Sequence, residues 1–257
     1  MPSYLVALDG ENIVLTTVRS KQKSTQLHDI VNQLPHKKLH ILEADVVDKQ
    51  AIQAAATEAA RITGGTLDVF IYNAARVEFD NLLRGLLDYD SEDQLDEEFM
   101  QSLRVNVLGP IHTINAFLPL LRKGTMKKII IIGSEVGERD FVRRVHLSEI
   151  AAYGITKAAE HMVATKYAVA LENEGFTVVS MSPGFVDTSG TRSEPVSESD
   201  VSRFSDLAKK LYAAFPSTQT QLTPQVGFQR LLVRIQIIGP ADSGAFKPCP
   251  EFDMTYL

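Results

Sequence analysis

Residues 127–134 read Lys-Lys-Ile-Ile-Ile-Ile-Gly-Ser. Four consecutive isoleucines crowd a helix at χ1 but suit a pleated strand. No polar residue alternates with them, so neither face is reserved for water. Runs of this kind belong to strands that carry helices on both faces. The stretch is far shorter than the roughly 20 apolar residues a membrane-spanning helix needs. It predicts a buried strand over Lys128–Ile132, with Gly133 and Ser134 at its carboxyl end.

Outward from this strand the same pattern recurs. Strands are expected at Ile13–Val18, 39–46, 67–72 and 176–181, with a weaker one at 245–249. Longer helical patterns separate them. Asp48 suits an N-cap for a helix reaching about residue 62, which Gly64 and Gly65 would end. A second helix is expected over 91–121, interrupted near Gly109 and Pro110, and a third from about 148 to 173, stopping before Gly175. Strands alternating with helices predict an α/β fold: a single-domain, Rossmann-like, doubly wound and mostly parallel sheet over residues 1–257. Residues 185–222 read as irregular, being rich in Ser, Thr, Glu and Pro. They follow the carboxyl end of a strand, the edge where ligands bind in such sheets, and are either a substrate lid or a surface excursion. Residues 138–146, with three arginines and a histidine, read as a solvated loop or as part of a substrate mouth.

The net charge of −6 argues against nucleic acid or an anionic membrane as partner, since both require a basic footprint. The single cysteine, Cys249, excludes an internal disulfide framework and a cysteine-based zinc site, and no metal site is expected. The acidic stretch 88–98 reads as a solvated helix start rather than a cation site. The N-terminus lacks a basic segment followed by a long apolar one, so a cytoplasmic protein is expected.

Tyr153-Gly-Ile-Thr-Lys157 places a phenol and an ammonium on one helix face. A nearby cation favours the phenolate and is expected to lower the tyrosine pKa, so that it can exchange a proton with an alcohol or carbonyl oxygen. Taken alone, the pair also reads as a surface lysine beside a half-buried tyrosine. Ser134 ends one strand, where its hydroxyl could polarise a carbonyl or merely cap a turn. Asn73, Ala74 and Ala75 end another, and Ser182-Pro183-Gly184 a third. Three such endings fall on one sheet edge.

With these motifs in this order the chain resembles the short-chain dehydrogenase/reductases over about residues 12–249. The matching positions are Asp45-Val46, Asn73-Ala74-Ala75, Asn106 within Arg-Val-Asn-Val-Leu-Gly, Ser134, Tyr153 with Lys157, and Pro183-Gly184-Phe185-Val186-Asp187-Thr188. The resemblance implies an oxidoreductase in which Tyr153 is the general acid or base and Ser134 polarises a substrate carbonyl. Lys157 would hold the nicotinamide ribose and tune Tyr153, while Asn106 would support a water-linked proton path to Lys157. Asp45 and Val46 would border the adenine, Asn73, Ala74 and Ala75 the adenosine side, and Pro183, Gly184, Val186 and Thr188 the nicotinamide. It further implies a small-molecule carbonyl or alcohol substrate and a homodimer or homotetramer. The strand Ile13–Val18 ends in Arg19 with no carboxylate nearby. A basic residue there suits a 2′-phosphate, which favours NADP(H) over NAD(H), although Arg19 also reads as an ordinary exposed arginine.

One part of the family's layout does not fit. Residues 3–6 read as its first strand and Ile13–Val18 as its second, with only residues 7–12 between them. A parallel crossover with its helix needs at least about ten to twelve residues. The glycine-rich phosphate loop and first helix are therefore expected to be missing, leaving a truncated first βαβ unit. A hairpin turning at Asp9-Gly10 is the alternative. Each lost phosphate bond would remove roughly 1.5–3 kcal/mol. A non-catalytic binding or regulatory relative with impaired cofactor binding is thus the second reading.

Overall fold

The computed structural model describes residues 12–33, 38–187, 198–216 and 221–252. The expected first strand at 3–6, all but the last residue of the short connection 7–12, and Thr188 lie outside the described residues. Within them the strands are β1 (Ile13–Val18), β2 (Lys38–Glu43), β3 (Val69–Tyr72), β4 (Lys128–Ile132), β5 (Thr177–Met181) and β6 (Phe246–Lys247). The α-helices are α1 (Thr25–Gln33), α2 (Lys49–Thr63), α3 (Phe79–Leu82), α4 (Glu92–Leu103), α5 (Gly109–Leu121), α6 (Arg139–Val145), α7 (Ala151–Ala170), α8 (Glu198–Ala214) and α9 (Pro224–Ile237). This is the Rossmann-like α/β alternation expected. β1 pairs with β2 in parallel, Ile13 facing Lys38 and Val18 facing Glu43. A second sheet has the order β3-β4-β5-β6, with β6 parallel to β5. No helix among the described residues is long and apolar enough to cross a membrane.

The chain divides into two compact units, residues 1–70 with 108–128, and 71–107 with 129–257. In the first, the Asp48 carboxylate accepts from the amides of Gln50 (2.8 Å) and Ala51 (3.1 Å), so α2 starts where the N-cap was expected. It stops at Gly64, whose φ of 68° is a left-handed conformation that glycine adopts without strain. Its buried stripe is Ile52, Ala55, Ala56 and Ala59, a face of small residues that lets neighbours approach closely. A shallow hollow of about 710 Å³ lies over β1 and β2, and none of the motif residues lines it.

The core of the second unit is built on the isoleucine run. Ile129, Ile130 and Ile131 of β4 are fully buried, as are Val178, Val179 and Met181 of β5. Fully burying side chains of this size contributes roughly 1.5–3 kcal/mol each. The long helix expected over 91–121 is divided. Ser91 caps α4 through its hydroxyl, and a π-helical turn over Arg104–Leu108 precedes α5. Pro110 has no N–H for the carbonyl four residues back, a physical reason for the ladder to widen there.

Three expectations are corrected. Residues 138–146 are not a solvated loop: they hold α6, whose Phe141 and Val145 are buried. Residues 185–222 are not irregular throughout, because α8 occupies their middle. Phe141, Phe215 and Phe252 meet at ring separations of 5.3–5.6 Å, in a cluster that also takes Leu207 of α8. The acidic stretch is not wholly solvated either. Glu98 is buried, accepting from Arg76, Asn81 and Ser102.

Candidate functional site

β4 delivers Ser134 to its carboxyl end, where the residue caps a 3-10 turn over Glu135–Gly137. Its hydroxyl oxygen accepts from the Val136 amide at 3.4 Å, which leaves the hydroxyl proton to be donated. Glu135 beside it is buried, accepting from the Ser182 hydroxyl and the Cys249 amide, both at 2.7 Å. Burial raises the Glu135 pKa, partly offset by those two donors.

α7 packs against this turn. A β-carbon on Gly154 would stand 2.9 Å from the Val136 carbonyl oxygen, so a side chain at 154 would push helix and turn apart. The Lys157 ammonium donates to the Ile132 carbonyl at 2.8 Å and to Glu160 Oε2 at 2.7 Å. It lies 5.3 Å from the centre of the Tyr153 ring. The end of β4, the Ser134 turn and the tyrosine–lysine face are thereby brought together. Lys157 and Glu160 are 2% and 0% exposed, a buried ion pair.

The electrostatics depart from expectation. Tyr153 is held above tyrosine's ordinary value, not below it. Burial penalises the phenolate most; Lys157 favours it, but Glu160 and Glu135 oppose. Burial also pushes Glu160 up to about 7 against the pull of Lys157. Lys157 is drawn down by burial yet ends raised, through Tyr153 and Glu160. Glu160 and Glu135 were not singled out in the sequence. Glu160 was legible in principle, since positions 153, 157 and 160 fall on one helical face. Glu135 carries no such periodic signal.

Asn106 sits in the π turn, fully buried. Its Oδ1 accepts from the Arg76 amide (2.7 Å), and its Nδ2 donates to Thr156 Oγ1 (2.9 Å) and the Arg76 carbonyl (3.3 Å). The side chain thus braces the segment after β3 and reaches Thr156, the neighbour of Lys157, rather than Lys157 itself. Asn73, Ala74 and Ala75 are exposed beyond β3. After β5, Pro183, Gly184 and Val186 are partly buried. Gly184 has a φ of 85°, and a β-carbon there would stand 2.7 Å from Cys249 Sγ. Val186 bridges Leu222, with Asp187 and Leu222 amides bonded across, which closes the base of the 185–222 segment.

Arg19, Asp45 and Val46 belong to the first unit. Arg19 is exposed after β1, while Asp45 Oδ1 accepts from the Val47 amide in a tight turn after β2. No cluster of three or more metal-ligating side chains occurs among the described residues.

A match to the short chain dehydrogenase family extends over residues 3–198. The chain is 40% identical to the short-chain dehydrogenase/reductase atnB of Arthrinium sp. over 188 residues, covering 73% of this chain and 70% of that one. It is 34% identical to the short-chain dehydrogenase/reductase AacuF of Aspergillus aculeatus over 252 residues, 92% of each chain. Among solved structures it resembles the NADPH-bound carbonyl reductase from chicken fatty liver, with a TM-score of 0.71 at 22% identity. That alignment covers 95% of this chain and 88% of the other, a likeness of fold. Matched over most of its length and 34–40% identical to such relatives over the aligned residues, the chain belongs to the short-chain dehydrogenase/reductase family of oxidoreductases.

Proposed function

We propose that this chain interconverts a small-molecule carbonyl and its alcohol using NADP(H), with Tyr153 as the general acid in reduction and the base in oxidation. The observation that carries the reading is the bond from Lys157 Nζ to the Ile132 carbonyl, which holds the Tyr153 helix against the turn bearing Ser134.

The residues fit a nicotinamide nucleotide. Of the three ammonium N–H bonds of Lys157, two go to Ile132 and Glu160; the third would be shared between the Tyr153 phenol and a ribose hydroxyl. Asn73, Ala74 and Ala75 offer small, exposed positions for the adenosine side, and Pro183, Gly184, Val186 and Thr188 would border the nicotinamide. Asp45 and Val46 would flank the adenine. Arg19, an exposed basic residue just after β1, favours a 2′-phosphate. When bound, the nucleotide supplies or takes up the hydride.

The chain's own residues handle the rest. The Ser134 hydroxyl donates a hydrogen bond to the substrate carbonyl oxygen and stabilises charge developing on it. Tyr153 delivers its proton to that oxygen and recovers it afterwards. Lys157 favours the transient phenolate by its charge. Asn106 keeps the Arg104–Leu108 turn in register with Thr156, next to the lysine. α8, Glu198–Ala214, would cover the substrate. Ile155, Met162 and Val169 are exposed apolar residues at seven-residue spacing on α7, which supports pairing of two copies through this helix.

Titrating the purified chain with NADPH, followed by nucleotide fluorescence, tests the reading. Saturation in the micromolar range is expected. No binding at millimolar NADPH would overturn it and leave the non-catalytic relative, the reading that the short connection at 7–12 favours.

A further inference from the structure

Three side chains on one face of α7 carry the charge around the phenol: Tyr153, Lys157 and Glu160. Glu160 is wholly buried, and its Oε1 has no hydrogen-bond partner among the described residues. A buried ion pair is often no more stable than apolar residues of the same volume. A carboxylate with a lone unpaired oxygen is less favourable still, so stability does not account for Glu160.

We propose that Glu160 is a positioning and charge-tuning residue for the Tyr153–Lys157 pair, its carboxylate holding the ammonium at 2.7 Å and cancelling the lysine's charge at the phenol. The proposal rests on the assignment of Tyr153 as the proton-exchanging group. The surroundings leave Lys157 as the partner that matters. The 3-10 turn after β4 contributes Glu135, engaged with Ser182 and Cys249. α4 contributes Glu98, engaged with Arg76, Asn81 and Ser102. β5, Thr177–Met181, brings no charge. His161, the next residue on α7, pairs with Glu138 at 2.7 Å, and Glu172 and Glu174 lie beyond the far end of the helix.

With Glu160 ionised, Tyr153 faces a nearly neutral pair, and burial keeps its phenol protonated. With Glu160 neutral, the full lysine charge favours the phenolate. The carboxylate thus sets the pH at which Tyr153 can act as a base, and it restrains the ammonium that a ribose hydroxyl would share. The direction of the Glu160 shift, upward to about 7, agrees with a group that changes charge near neutrality.

The test is a spectrophotometric titration of phenolate in the full-length chain. The Tyr153 component is taken as the difference from Tyr153→Phe. In Glu160→Gln this component is expected to move to lower pH by about one to two units, the usual effect of an uncompensated cation within a few ångströms. An unmoved midpoint would overturn the proposal. Should Glu160→Gln fail to fold, Glu160→Met, a neutral side chain of similar length, takes its place. The same downward shift is expected, and an unmoved midpoint rejects the idea. Neither measurement needs turnover or bound NADPH, so loss of the oxidoreductase reading and loss of this one are seen separately.

Discussion

A β-carbon placed on Gly137 would stand 2.6 Å from the backbone nitrogen of Ala158 and 2.7 Å from the carbonyl carbon of Lys157. The turn that begins at Ser134 therefore rests directly on the helix backbone at the lysine, with no side chain between them. Gly137→Ala must force the two apart. It is expected to cost about 1–3 kcal/mol of stability, as overpacking does, and to lower turnover at least tenfold. Urea denaturation and steady-state rates measure the two effects. Full activity in a stable Gly137→Ala chain would show that the contact does not position Ser134.

Tyr153→Phe removes one oxygen and keeps the ring beside the lysine. Turnover should fall by about two to four orders of magnitude, the usual contribution of a positioned acid or base. NADPH affinity should stay within about threefold. Turnover retained at a tenth of the parent level would reject the acid/base role.

Glu160 makes stability depend on pH in a direction that can be worked out. Its folded-state pKa is raised from 4.5 to about 7. Between these values the folded chain holds a proton the unfolded chain has released, so unfolding is disfavoured most at low pH. This contribution is complete below about 4.5 and is lost as pH rises through 7. Glu160→Gln cannot ionise and lacks that slope. Relative to the parent, the variant should gain stability between pH 5 and 7, by a few kcal/mol at most. A parent-minus-variant difference that stays constant across the window would contradict the raised pKa.

Asn106, itself fully buried, makes three hydrogen bonds, to Arg76 and Thr156. Asn106→Ala takes its partner from the Arg76 amide and carbonyl, while Thr156 keeps its bond to the Tyr153 carbonyl, at about 1–3 kcal/mol for a buried group left unsatisfied. Thermal unfolding should register the loss even in the absence of cofactor and substrate. A melting temperature equal to the parent's would mean that Asn106 acts only when ligands are bound.

Much of the fold was legible before any coordinates. β1 and β4 have the expected bounds, because runs rich in β-branched residues leave little choice of conformation. Asp48 and Gly64 bound α2 as read, since capping is local chemistry. The break before Gly109–Pro110 was also readable, though its π geometry was not. Phe141 and α8 were misjudged for the same reason: arginines and serines on the outer face hide the few apolar residues that dock, and docking depends on partners distant in sequence.

The family and the order of its motifs were determined by the sequence alone, because each motif is a short string whose residue types follow from local geometry. Only the tertiary structure decided the charge around Tyr153. Spacing along a helix says that a phenol and an ammonium can meet, but their pKa values depend on what is buried with them. Here burial, with Glu160 and Glu135, outweighs Lys157 at the phenol. That balance arises from desolvation and from charges on several elements, quantities that no linear pattern carries.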